Sequence, residues 1–260
     1  MKEVIITWKQ SYYNRPSTQF QNYFGLGDML RGSLMLYRFA KEKGYDITID
    51  THLYPCMKFS KKCDSKYAEF IDKNPESIGM IIRSIKPMKS WIDDKNNWIE
   101  DKIFCMTNHG ATDDVCKNEE ERNFLKSIVE PNEETQKEID NILSKLPKEY
   151  NVIHARFDDK KILNGYTNYD FDMFNTIKEE NDILMSNSNY FKQNCRIPSV
   201  NLEISHTGYE TDLEKLKNTF IYFHLIANSK KIKSYTDYTW TSGFAWWCSQ
   251  IYDIPLEVIK

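Results

Sequence analysis

Three short stretches carry residue types at spacings that suit chemistry on an anionic substrate. The run Tyr150-Asn151-Val152-Ile153-His154-Ala155-Arg156-Phe157-Asp158-Asp159 is apolar and ends in His-x-Arg followed by two carboxylates. On a strand, side chains alternate, so His154 and Arg156 share a face. A guanidinium at a strand's C-terminal end can grip a phosphate through two parallel N–H bonds and stays charged at any working pH. The same spacing equally allows an ion pair with Asp158 or Asp159 at a surface turn. The second stretch, Thr239 to Trp247, sets Thr241, Ser242 and Gly243 just ahead of a helix. Hydroxyl and N–H donors then converge on one point, as in an anion cradle; ordinary capping by Ser242 over an aromatic core helix is the alternative. The third, Gly25-Leu26-Gly27-Asp28, opens a helix whose N–H groups would point at a ligand beyond the strand ends.

This last turn is not a dinucleotide fingerprint. Gly-x-Gly-x-x-Gly requires glycine at position 30, and Leu30 stands there. A 16-residue polar and aromatic insertion, Lys9 to Phe24, also separates the turn from the first strand. A further candidate is His109, in Asn108-His109-Gly110 after the apolar run Ile103–Thr107, where loop residues face ligands. Its other reading is a solvated loop histidine.

The elements that must position these residues are legible from periodicity. Glu3–Thr7 reads as a strand. A helix follows the glycine turn, with Leu30, Leu34 and Tyr37 at helical spacing and Gly44 at its end, and Tyr45–Asp50 is the next strand. Ile78, Ile81, Ile82 and Ile85 at helical spacing predict a helix from Glu76 to Lys86. Helices are expected over residues 119–147, broken at Pro131 and capped by Asn132. Beyond the His-x-Arg strand, strands are expected at Asp182–Asn187, Val200–Ser205, Lys231–Thr236 and Pro255–Ile259. Helices are expected at Phe171–Glu180, Tyr190–Arg196, from Asp212 onward, and at Ser242–Ile251. Alternating strand and helix imply parallel sheets.

Composition narrows the class. A chain of 260 residues, 40% hydrophobic and 14% aromatic, has ample material for one large or two small cores. A net charge of −3 argues against general nucleic-acid binding. No apolar run suits a signal peptide or a membrane span. The six cysteines show no C-x-x-C pair, so free thiols and a cytoplasmic location are expected. Only seven of the 35 basic residues are arginine, which singles out Arg156 at its strand end.

In their order along the chain, Gly25-Leu26-Gly27-Asp28 with the run YRFAKEKGYDITID, then His154-x-Arg156, then Ser242 to Trp247 resemble the GDP-fucose-dependent fucosyltransferases. The likeness is greatest to the bacterial nodulation chitooligosaccharide fucosyltransferase group and extends to the protein O-fucosyltransferases. The resemblance implies an α/β, GT-B-like fold of two Rossmann-like lobes with mostly parallel sheets facing across a cleft. Residues 1–148 would form the acceptor-side lobe and residues 149–260 the GDP-sugar lobe. It implies inverting, metal-independent transfer of fucose from GDP-fucose to a glycan or peptide hydroxyl, with no cofactor, no nucleic acid and no membrane. Arg156 would meet the β-phosphate, and His154 would bind at the other end of the same motif. Thr241, Ser242 and Gly243 would provide the second diphosphate contact, Asn228 a nucleotide contact, and Gly25, Leu26 and Gly27 contacts to the sugar. Some relatives carry a glutamate base after His-x-Arg; none follows here, which leaves Asp28, Asp158 or a dissociative displacement with no base, Asp28 being favoured for its place on the turn. Asp170-Phe171-Asp172 stands at a helix start, not where a metal-binding Asp-x-Asp would be placed. Another GDP-sugar donor, or a non-catalytic glycan-binding relative, are the competing readings. A methyltransferase reading of Gly-Leu-Gly-Asp leaves Arg156 unexplained.

Overall fold

A computed structural model describes residues 1–8, 11–12, 21–22, 25–62, 66–81, 85–108, 115–207 and 212–259. The chain divides into two compact units, Met1–Glu133 with His206–Thr211, and Glu134–Ser205 with Asp212–Lys260. Relative to the boundary expected at 148/149, the helix beginning at Glu133 goes largely with the second unit, and a short late segment belongs to the first.

The first unit contains β1 (Glu3–Thr7), β2 (Ser11–Tyr12), β3 (Gln21–Asn22), α1 (Leu26–Lys43), β4 (Asp46–Asp50), α2 (Ala68–Lys73), β5 (Ile78–Ile81), α3 (Ile85–Asp93), β6 (Lys102–Thr107) and α4 (Glu119–Ile128). Its main sheet has strand order β4-β1-β6-β5, all pairs parallel; β2 and β3 form a separate antiparallel pair. Val4, Ile6, Ile103 and Cys105 pack against Met35, Leu36, Phe39 and Ala40 of α1 and Met88 and Ile92 of α3. Gly44 ends α1 at φ 67°, the left-handed conformation the sequence predicts.

Two glycines set the packing distances. A Cβ on Gly32 of α1 would lie 1.4 Å from the Thr107 carbonyl oxygen, so the helix touches the end of β6 backbone to backbone. A Cβ on Gly79 would lie 2.3 Å from Trp91 Nε1, so the indole of α3 closes directly over β5. The helix expected over Glu76–Lys86 is not formed. A 3-10 turn at Pro75–Ser77 leads into β5, and α3 starts only at Ile85. The isoleucines repeat at helical spacing, but β-branched residues and Gly79 fit an edge strand lying beside β6.

The second unit comprises α5 (Glu133–Leu143, from Glu134 on), β7 (Asn151–Arg156), α6 (Asp159–Leu163), α7 (Phe171–Ile177), β8 (Asp182–Ser186), α8 (Asn189–Asn194), α9 (Leu213–Ala227), β9 (Ile232–Thr236), α10 (Gly243–Tyr252) and β10 (Leu256–Ile259). Strand order is β10-β9-β7-β8, again wholly parallel. Ile153, Ala155 and Phe157 enter a core with Phe174, Leu184 and Phe191, so the alternate residues His154 and Arg156 face the other way.

Lys233 of β9 reaches past β7 to Asp182 of β8 at 2.9 Å and also donates to the Ile177 carbonyl, with both side chains buried. The strand expected at Val200–Ser205 is absent. Its backbone groups are met by side chains of α9: Tyr222 donates to the Val200 carbonyl, Asn218 to that of Glu203, and Thr219 exchanges bonds with Ser205. Buried backbone satisfied in this way needs no strand partner.

Gly32→Ala should lower unfolding stability by at least about 2 kcal/mol, because the clash is with backbone and cannot be relieved by a rotamer. Gly44→Ala, with open space around it, should cost only the left-handed backbone penalty of about 1 kcal/mol. Lys233→Met should cost about 3–5 kcal/mol by stranding the buried carboxylate of Asp182. Urea melts of the three variants check all three values.

Candidate functional site

In both units the chemistry-bearing residues lie where parallel strands end. In the second, β7 delivers Arg156 at its last position, with its side chain 16% exposed. The guanidinium forks onto Asp159, with Nη1 2.8 Å from Oδ1 and Nη2 2.6 Å from Oδ2, and Nη1 also donates to the Phe157 carbonyl at 2.6 Å. Of the two readings of this arginine, the ion pair with Asp159 is therefore present. Asn187, after β8, fixes the arrangement: its side-chain oxygen accepts from the Phe157 N–H at 2.9 Å. Its amide donates to the Phe157 carbonyl and to Asp159. Asp158 is instead the N-cap of α6, accepting from Lys160 N–H.

Two residues back on the same face, His154 is 3% exposed and its Nε2 lies 3.0 Å from Ser242 Oγ. Burial, and then the neighbouring Arg156 charge, hold its imidazole down to about 3, so it is neutral at physiological pH. Its Nδ1 is buried without a hydrogen-bond partner. Stranding a lone pair costs less than stranding a donor, which favours the Nε2–H tautomer donating to Ser242. The Ser242 hydroxyl hydrogen then points elsewhere. Ser242 occupies the N-cap of α10, yet its side chain makes no capping bond to the helix. The capping role expected of it is diverted to His154. Thr241 precedes it, half-buried, and Gly243 is the first helical residue.

Asn228 is not part of this group. It ends α9, donating to the His224 carbonyl, and the residues just after it join the start of β7, where Lys230 N–H donates to the Tyr150 carbonyl. Arg156 stands at the opposite end of that strand. The residue that sequence reading overlooked is Asp237, directly after β9. Its N–H reaches the Arg156 carbonyl at 3.4 Å, Oδ2 pairs with Lys161 at 2.9 Å, and Oδ1 is buried without a partner. A carboxylate immediately after a predicted strand was the available signal. Beside it, the Tyr238 ring lies 5.9 Å from the Arg156 Cζ, and Trp240 stacks on Tyr238 at 4.9 Å with its own surface 64% exposed.

In the first unit, Gly25 is the N-cap of α1, Leu26 is buried, Gly27 is half-buried, and Asp28 in the first turn pairs with Arg31 at 3.4 Å. The Leu26 N–H does not point into open space: it donates to Thr207 Oγ1 at 2.9 Å, and the Tyr54 hydroxyl donates to the same oxygen at 3.1 Å. His109 lies outside the described residues. A cavity of about 450 Å³ lined by Tyr37, Lys41, Ile47 and Phe124 flanks the length of β4, away from these strand ends. No group of three or more metal-ligating side chains occurs among the described residues. Asp170 serves as the N-cap of α7, accepting from Met173 N–H at 2.9 Å.

No protein-family model matches the chain, and no curated protein matches it. Among solved structures, fucosyltransferase NodZ from Bradyrhizobium is similar at 12% identity and a TM-score of 0.54, over 95% of this chain and 91% of that one. NodZ alpha-1,6-fucosyltransferase co-crystallized with GDP gives 12% and 0.53 over the same shares. POFUT1 in complex with GDP gives 8% and 0.51 over 99% of this chain and 98% of that one. At such identities the likeness is one of fold: the chain has the α/β, two-sheet, GT-B-like architecture of these fucosyltransferases.

Proposed function

We propose that the protein is a glycosyltransferase that moves L-fucose from GDP-fucose to a glycan or peptide hydroxyl, by an inverting and metal-independent displacement. The observation that carries this reading is the arrangement at the end of the second sheet. A held guanidinium, a hydroxyl relieved of its capping duty and the start of α10 occur together where β7 and β9 end. Breaking the sugar–phosphate bond leaves negative charge on the β-phosphate. Arg156 with the Ser242 hydroxyl and the first N–H groups of α10 supply fixed positive potential for it, the work other transferases give to a metal. His154, neutral and buried, aims Ser242 rather than exchanging protons.

Asp237 takes the nucleotide-recognition role that sequence reading assigned to Asn228. An unpartnered carboxylate oxygen matches the N–H donors on one edge of guanine. The Tyr238–Trp240 stack gives a ring a face to lie on. Cys105, Cys116, Cys195 and Cys248 carry free thiols, which fits a reducing compartment, and a cytoplasmic location is part of the proposal. Among the described residues no helix is long and apolar enough to cross a membrane.

Arg156→Ala should slow GDP-fucose turnover by about two to four orders of magnitude, with Arg156→Lys little better because an ammonium cannot reproduce the fork. A rate within about threefold of wild type for either variant rules out the clamp. Asp237→Asn should weaken GDP binding about 10- to 100-fold while leaving binding of UDP unchanged, read by calorimetry. Turnover should survive EDTA; a loss restored by a divalent cation would overturn metal independence.

A further inference from the structure

β8 runs into Ser186-Asn187-Ser188, and the two outer residues hold the middle one in place. The Ser186 hydroxyl accepts from the Ser188 N–H at 3.1 Å. Ser188 caps α8, accepting from the Phe191 N–H at 3.1 Å, and its hydroxyl lies 2.9 Å from that of Tyr169. Both serines are buried, so the backbone of Asn187 is tied to a strand on one side and a helix on the other. Its half-buried side chain crosses to the turn after β7. There Oδ1 accepts from the Phe157 N–H at 2.9 Å, while Nδ2 donates to the Phe157 carbonyl at 2.9 Å and to Asp159 Oδ1 at 3.2 Å. Exchanging the oxygen and nitrogen would set an NH2 against an N–H and an oxygen against two acceptors, so these partners fix which way the amide points. The same two acceptors, the Phe157 carbonyl and Asp159 Oδ1, are the ones Arg156 Nη1 uses, at 2.6 and 2.8 Å. A neutral amide and a guanidinium nitrogen therefore share one pair of oxygens. The amide, held from the next strand, sets where those oxygens stand.

We propose that Asn187 is a positioning residue for the transfer, acting through Arg156 and not on the substrate; this rests on the fucosyltransferase reading above. Asn187, Phe157, Asp159 and Arg156 all belong to the second unit. Arg156 is asked to meet charge that develops on the β-phosphate as its bond to the sugar breaks, so its placement matters most in the transition state. Losing the amide leaves the shared oxygens free to shift, and the guanidinium shifts with them. A misplacement of about 1 Å can cost on the order of 100-fold in rate. Aspartate has the shape of asparagine, but its ionised form has no donor for the Phe157 carbonyl or Asp159 and sets a like charge beside Asp159. Protonated, it regains one O–H donor. The side chain at position 187 is thereby a handle on the clamp that does not itself touch the diphosphate.

The experiment follows GDP release from GDP-fucose, with water and a chitooligosaccharide series as acceptors. It compares wild type, Asn187→Ala, Asn187→Asp, Arg156→Ala and the double variant Arg156→Ala with Asn187→Ala. Donor affinity is read by calorimetry and folding by thermal unfolding. Asn187→Ala should lower kcat about 10- to 100-fold while donor affinity stays within about threefold. In the Arg156→Ala background the same substitution should change the rate by less than about twofold, because a residue acting only through the guanidinium has nothing left to act on. Asn187→Asp should be impaired at alkaline pH and gain on wild type as the pH falls, since protonation returns a donor and removes the charge facing Asp159. An Asn187→Ala rate near wild type, a rate loss matched by an equal loss of donor affinity, or losses that add fully in the double variant each overturn the proposal. A ratio of Asn187→Asp to wild-type rates that is flat with pH overturns it as well, and decides alone if Asn187→Ala does not fold. A wild-type protein that neither binds nor consumes GDP-fucose would instead remove the donor reading, and the role of Asn187 with it. An active wild type with additive losses removes Asn187 alone.

Discussion

A guanidinium at the end of a buried strand cannot stand without a countercharge, and here Asp159 provides it three residues further on. Because the two are so close in sequence, the pair forms as soon as β7 gives way to α6. Asn187 from the neighbouring strand end then locks the intervening peptide from both sides. The cation is therefore oriented before any anion arrives. Two charges that are each mostly removed from water are held in one geometry by the fork between them and by the bonds to Phe157 and Asn187. Much of what lies near this strand end follows that constraint: His154 is kept neutral in part by the adjoining charge, and Tyr238 places its ring close to the guanidinium.

The two units answer the same problem, the unsatisfied N–H groups at a helix start, in opposite ways. At α1 the cap residue is a glycine with no side chain to offer, and Thr207 serves from far away in sequence. At α10 the cap residue has a hydroxyl, but a buried imidazole claims it. One helix start is closed by a remote residue and the other is left open by a local one.

How much of this was legible in the sequence depended on the range of the interaction. β7, α1 with its terminal Gly44, and the segment from β9 to β10 follow from periodicity and capping residues close at hand. The phase of β7 follows from alternation alone. The isoleucine run before α3 misled because its spacing fits a helix, while the arbiter, Trp91 lying over Gly79, is tertiary. Val200–Ser205 has strand-like composition, yet α9 side chains bind its backbone. Asn228 was singled out by the family resemblance, whereas the topology puts Asp237 beside Arg156. Thr207 had no local signature at all, since its role as the partner of the Leu26 N–H joins residues 181 apart in sequence.

That distance also bears on how the molecule is made. The first unit is discontinuous, and its last piece is not synthesised until the ribosome has passed residue 207. Until then the start of α1 lacks its cap and Tyr54 lacks its acceptor. The nascent N-terminal half must therefore wait, with its glycine turn incomplete, while strands β7 and β8 emerge. Cutting the chain into two separately expressed halves would leave the first permanently unfinished at that turn.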